Sequence, residues 1–112
     1  MRISYANKKV EEFFTDYSKM RKKMPFDWVR SIKKIMDHMM AADNFGIILA
    51  LGLGKPEKLS GYKRVTYSFH VSKNVRLIVE LNATEDTIKI CEEIEVEGVN
   101  DYHGKKDNWY IP

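Results

Sequence analysis

The chain reads as an α+β domain in which two N-terminal helices pack on one face of a small antiparallel (mixed) β-sheet. Three observations predict this. Apolar residues recur at helical spacing through the first forty residues, strand-like alternation takes over after Arg64, and no composition shift separates the two halves. A single domain over residues 1–112 is therefore expected.

Ile3 and Tyr5 alternate with polar neighbours and predict a short first strand. Val10, Phe13, Phe14, Tyr17 and Met20 then form one apolar stripe on a helix from about Asn7 to Lys23. Pro25 breaks that helix and suits the opening of a second, since the first helical position needs no amide proton. Trp28, Val29, Ile32, Ile35, Met36 and Met39 mark the second helix, with Arg30, Lys33, Lys34 and Asp37 on its other side. Asn44 and Gly46 suit its end. Ile47 to Leu53 is apolar but stops at Gly52 and Gly54, which predicts a buried connector, and Lys55 to Gly61 is a basic loop.

The clearest strand follows, with Val65, Tyr67, Phe69 and Val71 alternating against Arg64, Thr66, Ser68 and His70. Ser72-Lys73-Asn74 is a turn, Val75 to Leu81 a second strand, and Asn82 to Asp86 a second turn. Ile88, Ile90 and Ile94 mark a last strand, which Glu92 interrupts as a bulge or an earlier strand end.

Composition excludes several classes. Apolar residues make up 44% of the chain, too many for wholesale disorder. The formal charge of +3 gives only a weak pull toward anions. Cys91 is the one cysteine, so no internal disulfide forms and a reducing, cytoplasmic home is expected. Its plain reading is a small buried hydrophobe. His38, His70 and His103 stand apart from each other and from Cys91, without metal-ligand spacing, and neither a metal nor a cofactor is expected. Met1 to Asn7 carries no long apolar run, so no signal peptide and no membrane contact is expected. Trp28, Met36, Met39 and Met40 read as core.

A three-residue turn at 72–74 sets Val71 opposite Val75 and His70 opposite Arg76. Arg64 and Ser68 share that polar face, and the loop bearing Lys55 and Lys58 leads into it. Cations on one face are an RNA-phosphate footprint, although the plainer reading is a solvated strand face. The stretch Asp101-Tyr102-His103-Gly104-Lys105-Lys106 adds an acid, a phenol, an imidazole and two ammonium groups. RNA cleaves when its 2′-hydroxyl attacks the adjacent phosphate. That reaction takes a base, an acid for the leaving 5′-oxygen, and cations for the phosphorane. An imidazole suits either proton role, arginine forks fit phosphate oxygens, and tyrosine stacks on a base. A surface turn with a packed tyrosine is the alternative for this stretch.

Three stretches together resemble the RelE/ParE toxin superfamily, most closely its HigB-like members. They are the first strand running into Val10-Glu11-Glu12-Phe13-Phe14, the segment from Leu59-Ser60-Gly61-Tyr62 to Asn74-Val75-Arg76-Leu77, and Val99-Asn100-Asp101-Tyr102-His103. The resemblance implies a RelE-like fold and a ribosome-dependent messenger-RNA endoribonuclease, the toxin of a type II toxin–antitoxin system. Its implied partners are messenger RNA, the ribosome and a helix-turn-helix (HigA-like) antitoxin, with DNA reached only through the antitoxin. It implies catalytic roles for Asp101, Tyr102, His103 and Arg76, the last on the scissile phosphate. Lys58 falls near the family's basic position ahead of Gly-Tyr, and Lys55, Arg64, His70, Lys105 and Lys106 complete the expected RNA-binding set. Lys55-Pro56 stands where HigB-like chains commonly carry His-Pro, so one imidazole is missing and His103 becomes the principal acid–base group. Two alternatives stay open: a ParE-like inhibitor of DNA gyrase, and an inactive module that only binds RNA or its antitoxin.

Overall fold

The computed structural model describes residues 1–101 and 109–111. Over them the chain has four α-helices and a mixed sheet of six strands. Strand β1 (Arg2–Tyr5) leads to Asn7, whose side chain accepts from the Val10 amide at 3.0 Å and opens helix α1 (Lys8–Thr15). The single helix expected to run to Lys23 stops at Asp16. This residue is extended, and its carboxylate accepts from the Ser18 amide at 3.1 Å, so it caps a new helix, α2 (Tyr17–Arg21). A short acidic side chain that bonds the backbone ahead of it competes with continuation of the helix behind it.

Helix α3 (Phe26–Ala41) opens after Pro25 as expected. Asn44 does not end it. Asn44 accepts from the Ile47 amide at 3.2 Å and caps helix α4 (Phe45–Leu51), which replaces the expected connector. Phe45 and Ile48 are buried while Ile47 and Leu51 are exposed, so an all-apolar run conceals a helix whose period its residue types do not display. Gly52, at φ 66°, ends it in the left-handed conformation.

The sheet comprises β2 (Glu57–Leu59), β3 (Thr66–His70), β4 (Val75–Leu81), β5 (Glu93–Asp101) and β6 (Trp109–Ile111) with β1. Its order is β1-β5-β4-β3-β2, and β6 also pairs with β5. β1 runs parallel to β5, and every other pairing is antiparallel. Ile88 and Ile90 fall before the last long strand rather than in it, and Ile90 is 69% exposed. Glu92 therefore precedes the start of β5, and the bulge lies further on, where Ile78 pairs with Gly98 but Val79 with Val96. Glu97 is the extra residue.

Val75, Leu77, Val79 and Leu81 form one row of β4 and join the buried side chains of the helices in one core cluster. Phe45 anchors it, edge-on to Tyr67 at 4.9 Å and to Phe69 at 6.2 Å. Met36 and Met39 are fully buried, whereas Met40 is 48% exposed. Trp28 meets Tyr110 edge-on at 5.2 Å, so β6 packs on the body of the domain. No described helix is long and apolar enough to cross a membrane.

Candidate nucleic-acid interface

The hairpin between β3 and β4 sets the site. Val71 donates to the Val75 carbonyl at 2.9 Å, and His70 lies directly opposite Arg76, in the register that the sequence predicts. Directly opposed side chains share a face and are close enough to interact. Arg76 donates through Nη1 to the carbonyls of Ser72, Lys73 and Val75 at 3.0, 3.1 and 3.2 Å, which ties its guanidinium to the turn.

Lys55 comes to the same end of the sheet by a different route. Gly54 accepts from the His70 amide at 2.6 Å, so the chain ahead of β2 runs beside β3. Lys55 itself is in the left-handed region at φ 47°. Burial holds the His70 imidazole below its ordinary value of 6.5, and the charges of Arg76 and Lys55 push the same way, against Glu57. A neutral imidazole beside two cations is a proton acceptor next to phosphate-binding groups.

Further down the same face the chemistry changes. Thr66, Ser68, Ile78 and Leu59 are buried, although this side was expected to be polar. Ile78 and Leu59 lie outside the main core cluster, so the middle of the face is neither solvated nor basic. Beyond it, Glu80, Glu95 and Glu97 bring carboxylate oxygens within 4.8 Å of one another. Arg64 reaches Glu80 at 3.8 Å and so brings a cation to this acidic end. Spacing in the sequence gives no sign of the cluster, because β4, β5 and the bulge at Glu97 assemble it.

Glu97 Oε2 is enclosed and has no hydrogen-bond partner among the described residues. Desolvation first, then contact with Glu95 and the charge of Glu80, pushes its carboxyl up to about 9. A proton on Glu97 lets it donate to a neighbouring carboxylate and relieves the repulsion. A folded-state value raised above 4.5 contributes stability that is fully present below that pH and is lost as pH rises toward about 9. The melting temperature is therefore expected to fall across that window. Glu97→Gln, a permanent donor of the same shape, should flatten the fall, as thermal melts at several pH values would read.

The other expected residues are divided between locations. Lys58 lies opposite Tyr67, on the face away from Arg76, and pairs with Glu85. Asp101 lies opposite Val75, so by alternation it belongs to the face away from Arg76. Tyr102, His103, Lys105 and Lys106 lie outside the described residues. Of the residues that flank that stretch, Asp101 pairs with Val75, and Trp109 pairs with Asn100, the partner of Arg76 on the next strand. His38 is on α3, its Nδ1 at 2.8 Å from the Lys34 carbonyl, apart from this site. No family model, curated protein or solved structure matches the chain.

Proposed function

We propose that the chain is a ribosome-dependent messenger-RNA endoribonuclease, a HigB-like toxin of the RelE/ParE superfamily whose partner is a helix-turn-helix antitoxin. The observation that carries the reading is the directly opposed pair His70 and Arg76 beside Lys55, two cations flanking an imidazole held neutral. The three sequence stretches that resemble the superfamily support it, and a RelE-like arrangement of the helices on the sheet belongs to the same proposal. In the reaction, His70 takes the proton of the attacking 2′-hydroxyl and His103 returns one to the leaving 5′-oxygen. Arg76 and Lys55 meet the charge on the phosphorane, and Asp101 orients or charge-stabilises His103. Tyr102 stacks on a base, and Lys105 and Lys106 hold flanking phosphates.

Expression without antitoxin is expected to stop growth and cut translated messages, and His103→Ala to relieve both. Full toxicity of His103→Ala would overturn the assigned chemistry. A second reading, a module that binds RNA or antitoxin without cutting, is favoured by the three turn carbonyls that engage Arg76. Unchanged growth on overexpression of folded protein would select it. Blocked supercoiling with intact messages would select gyrase inhibition instead.

A further inference from the structure

At the acidic end of the sheet two loops face each other across a cleft. One joins β2 to β3 and contains Tyr62 and Lys63. The other follows β4 and contains Thr84 and Glu85, where Thr84 and Thr87 form a reciprocal cap on a short 3₁₀ turn. The Lys58–Glu85 ion pair bridges them. The cleft holds about 700 Å³, within the usual range of sites for small organic ligands. Lys58, Lys63 and Arg64 bring three cations to its lining, of which Lys58 pairs with Glu85 and Arg64 reaches Glu80 at 3.8 Å. Tyr62 stands at its wall, 40% exposed, an aromatic ring left partly uncovered beside cations.

An open cleft that combines ammonium and guanidinium groups with an accessible ring has the two parts that single-stranded nucleic acid needs: charge for the backbone and a plane for a base. Val65, on its rim, is five residues from His70 along β3, about 17 Å at the usual strand rise. That separation makes it a different site from the His70–Arg76 pair. The carboxylates of Glu80 and Glu95 would repel a polyanion crossing between the two over the sheet. The exposed edge strand β2, with Lys55 just before it and Lys58 within it, offers a path around them.

We propose that this cleft is a second RNA subsite, taking a nucleotide of the same strand that flanks the scissile linkage, with its base on Tyr62 and its phosphate among Lys58, Lys63 and Arg64. The proposal rests on the nuclease reading above. It carries an electrostatic consequence: Glu85 occupies Lys58 in the free protein and competes with the incoming phosphate, so its removal should tighten binding.

Fluorescence anisotropy of a labelled oligouridylate with the full chain tests this. Tyr62→Ala should weaken binding roughly ten-fold, the loss of one stacking platform. Lys63→Gln should weaken it and lower the slope of log affinity against log salt by about 0.7, one phosphate contact on a single strand. Glu85→Gln should tighten it several-fold, an effect that a purely structural role of these loops does not produce. Cleavage of a translated message is followed in parallel. If the wild-type protein binds and cuts RNA while all three variants bind as it does, the subsite is refuted and the nuclease reading stands. If the three shifts appear but no message is cut, the subsite stands as an RNA site and the nuclease reading fails. Absence of oligouridylate binding by the wild-type protein overturns the subsite.

Discussion

Gly98→Ala is expected to lower the melting temperature by about 15 °C and to release β6 from β5, a loss of about 3 kcal/mol in a domain of this size. Gly98 has φ 146°, a conformation that side chains rarely adopt. A Cβ built there would lie 1.9 Å from the Ile111 carbonyl oxygen, a contact no rotamer relieves because the backbone fixes the Cβ and its partner is itself backbone. Backbone strain of this kind costs of order 1–3 kcal/mol. Moving β6 away also exposes Ile111, now fully buried, whose burial contributes roughly 1.5–3 kcal/mol. The structure can absorb the substitution only by giving up one of these. Hydrogen exchange distinguishes the two outcomes: selective loss of protection at Ile111 means that β6 alone is released, while a uniform loss means that the whole domain is weakened. A melting temperature within a few degrees of wild type would show that β6 does not make the close approach described. On the nuclease reading, RNA cleavage should fall with the pairing, because His103 lies between β5 and β6 in the chain.

On the nuclease reading, Arg76→Ala is expected to lower the single-turnover rate of message cleavage by about 10²- to 10³-fold, the usual cost of removing one preorganised group from a developing oxyanion. Arg76→Lys keeps a cation but loses the planar fork, and should recover only part of the rate. Both variants give up bonds to the 72–75 turn, so their melting temperatures must be measured beside their rates. Loss of one hydrogen-bonded group there should cost about 1 kcal/mol, too little to unfold the domain. With His70 as the base, the acidic limb of the kcat/KM profile should lie below pH 6.5, because burial and the two neighbouring cations hold the imidazole below that value. His70→Ala should abolish that limb. Wild-type cleavage rates in Arg76→Ala would remove the phosphate contact from this face.

Much of the frame was legible in the residues. Alternation from Arg64 to Val71 and from Val75 to Leu81, with three turn residues between them, fixed the His70–Arg76 register because a shift of one residue would turn Phe69 and Leu77 out of the core. The helices were less legible for a local reason. Asp16 and Asn44 are capping residues within or between apolar runs, and whether such a residue starts, ends or interrupts a helix depends on which amide it reaches. The α4 residues Phe45 to Leu51 are apolar on every side, so period could not distinguish helix from connector. Ile88 and Ile90 looked like strand because a β-branched residue scores the same whether or not a partner strand lies beside it. The acidic cluster could not be seen at all. It depends on which strands are neighbours and on the extra residue at Glu97, and neither is a property of any short window of sequence. Lys58 shows the same limit, since the parity of a three-residue strand turns it toward Glu85 and away from Arg76.

The parallel pairing of β1 with β5 has a consequence for how the protein is made. Arg2 meets its partner Glu93 only 91 positions later in the chain. During synthesis the first strand leaves the ribosome long before the strand beside it exists, and α1 emerges with Val10 and Phe14 still uncovered. Pairings of such long separation form late and slowly, after local hairpins such as β3–β4. The His70–Arg76 pair at the hairpin end can therefore assemble before the sheet that supports it is closed, and the mature surface waits for translation to pass β5.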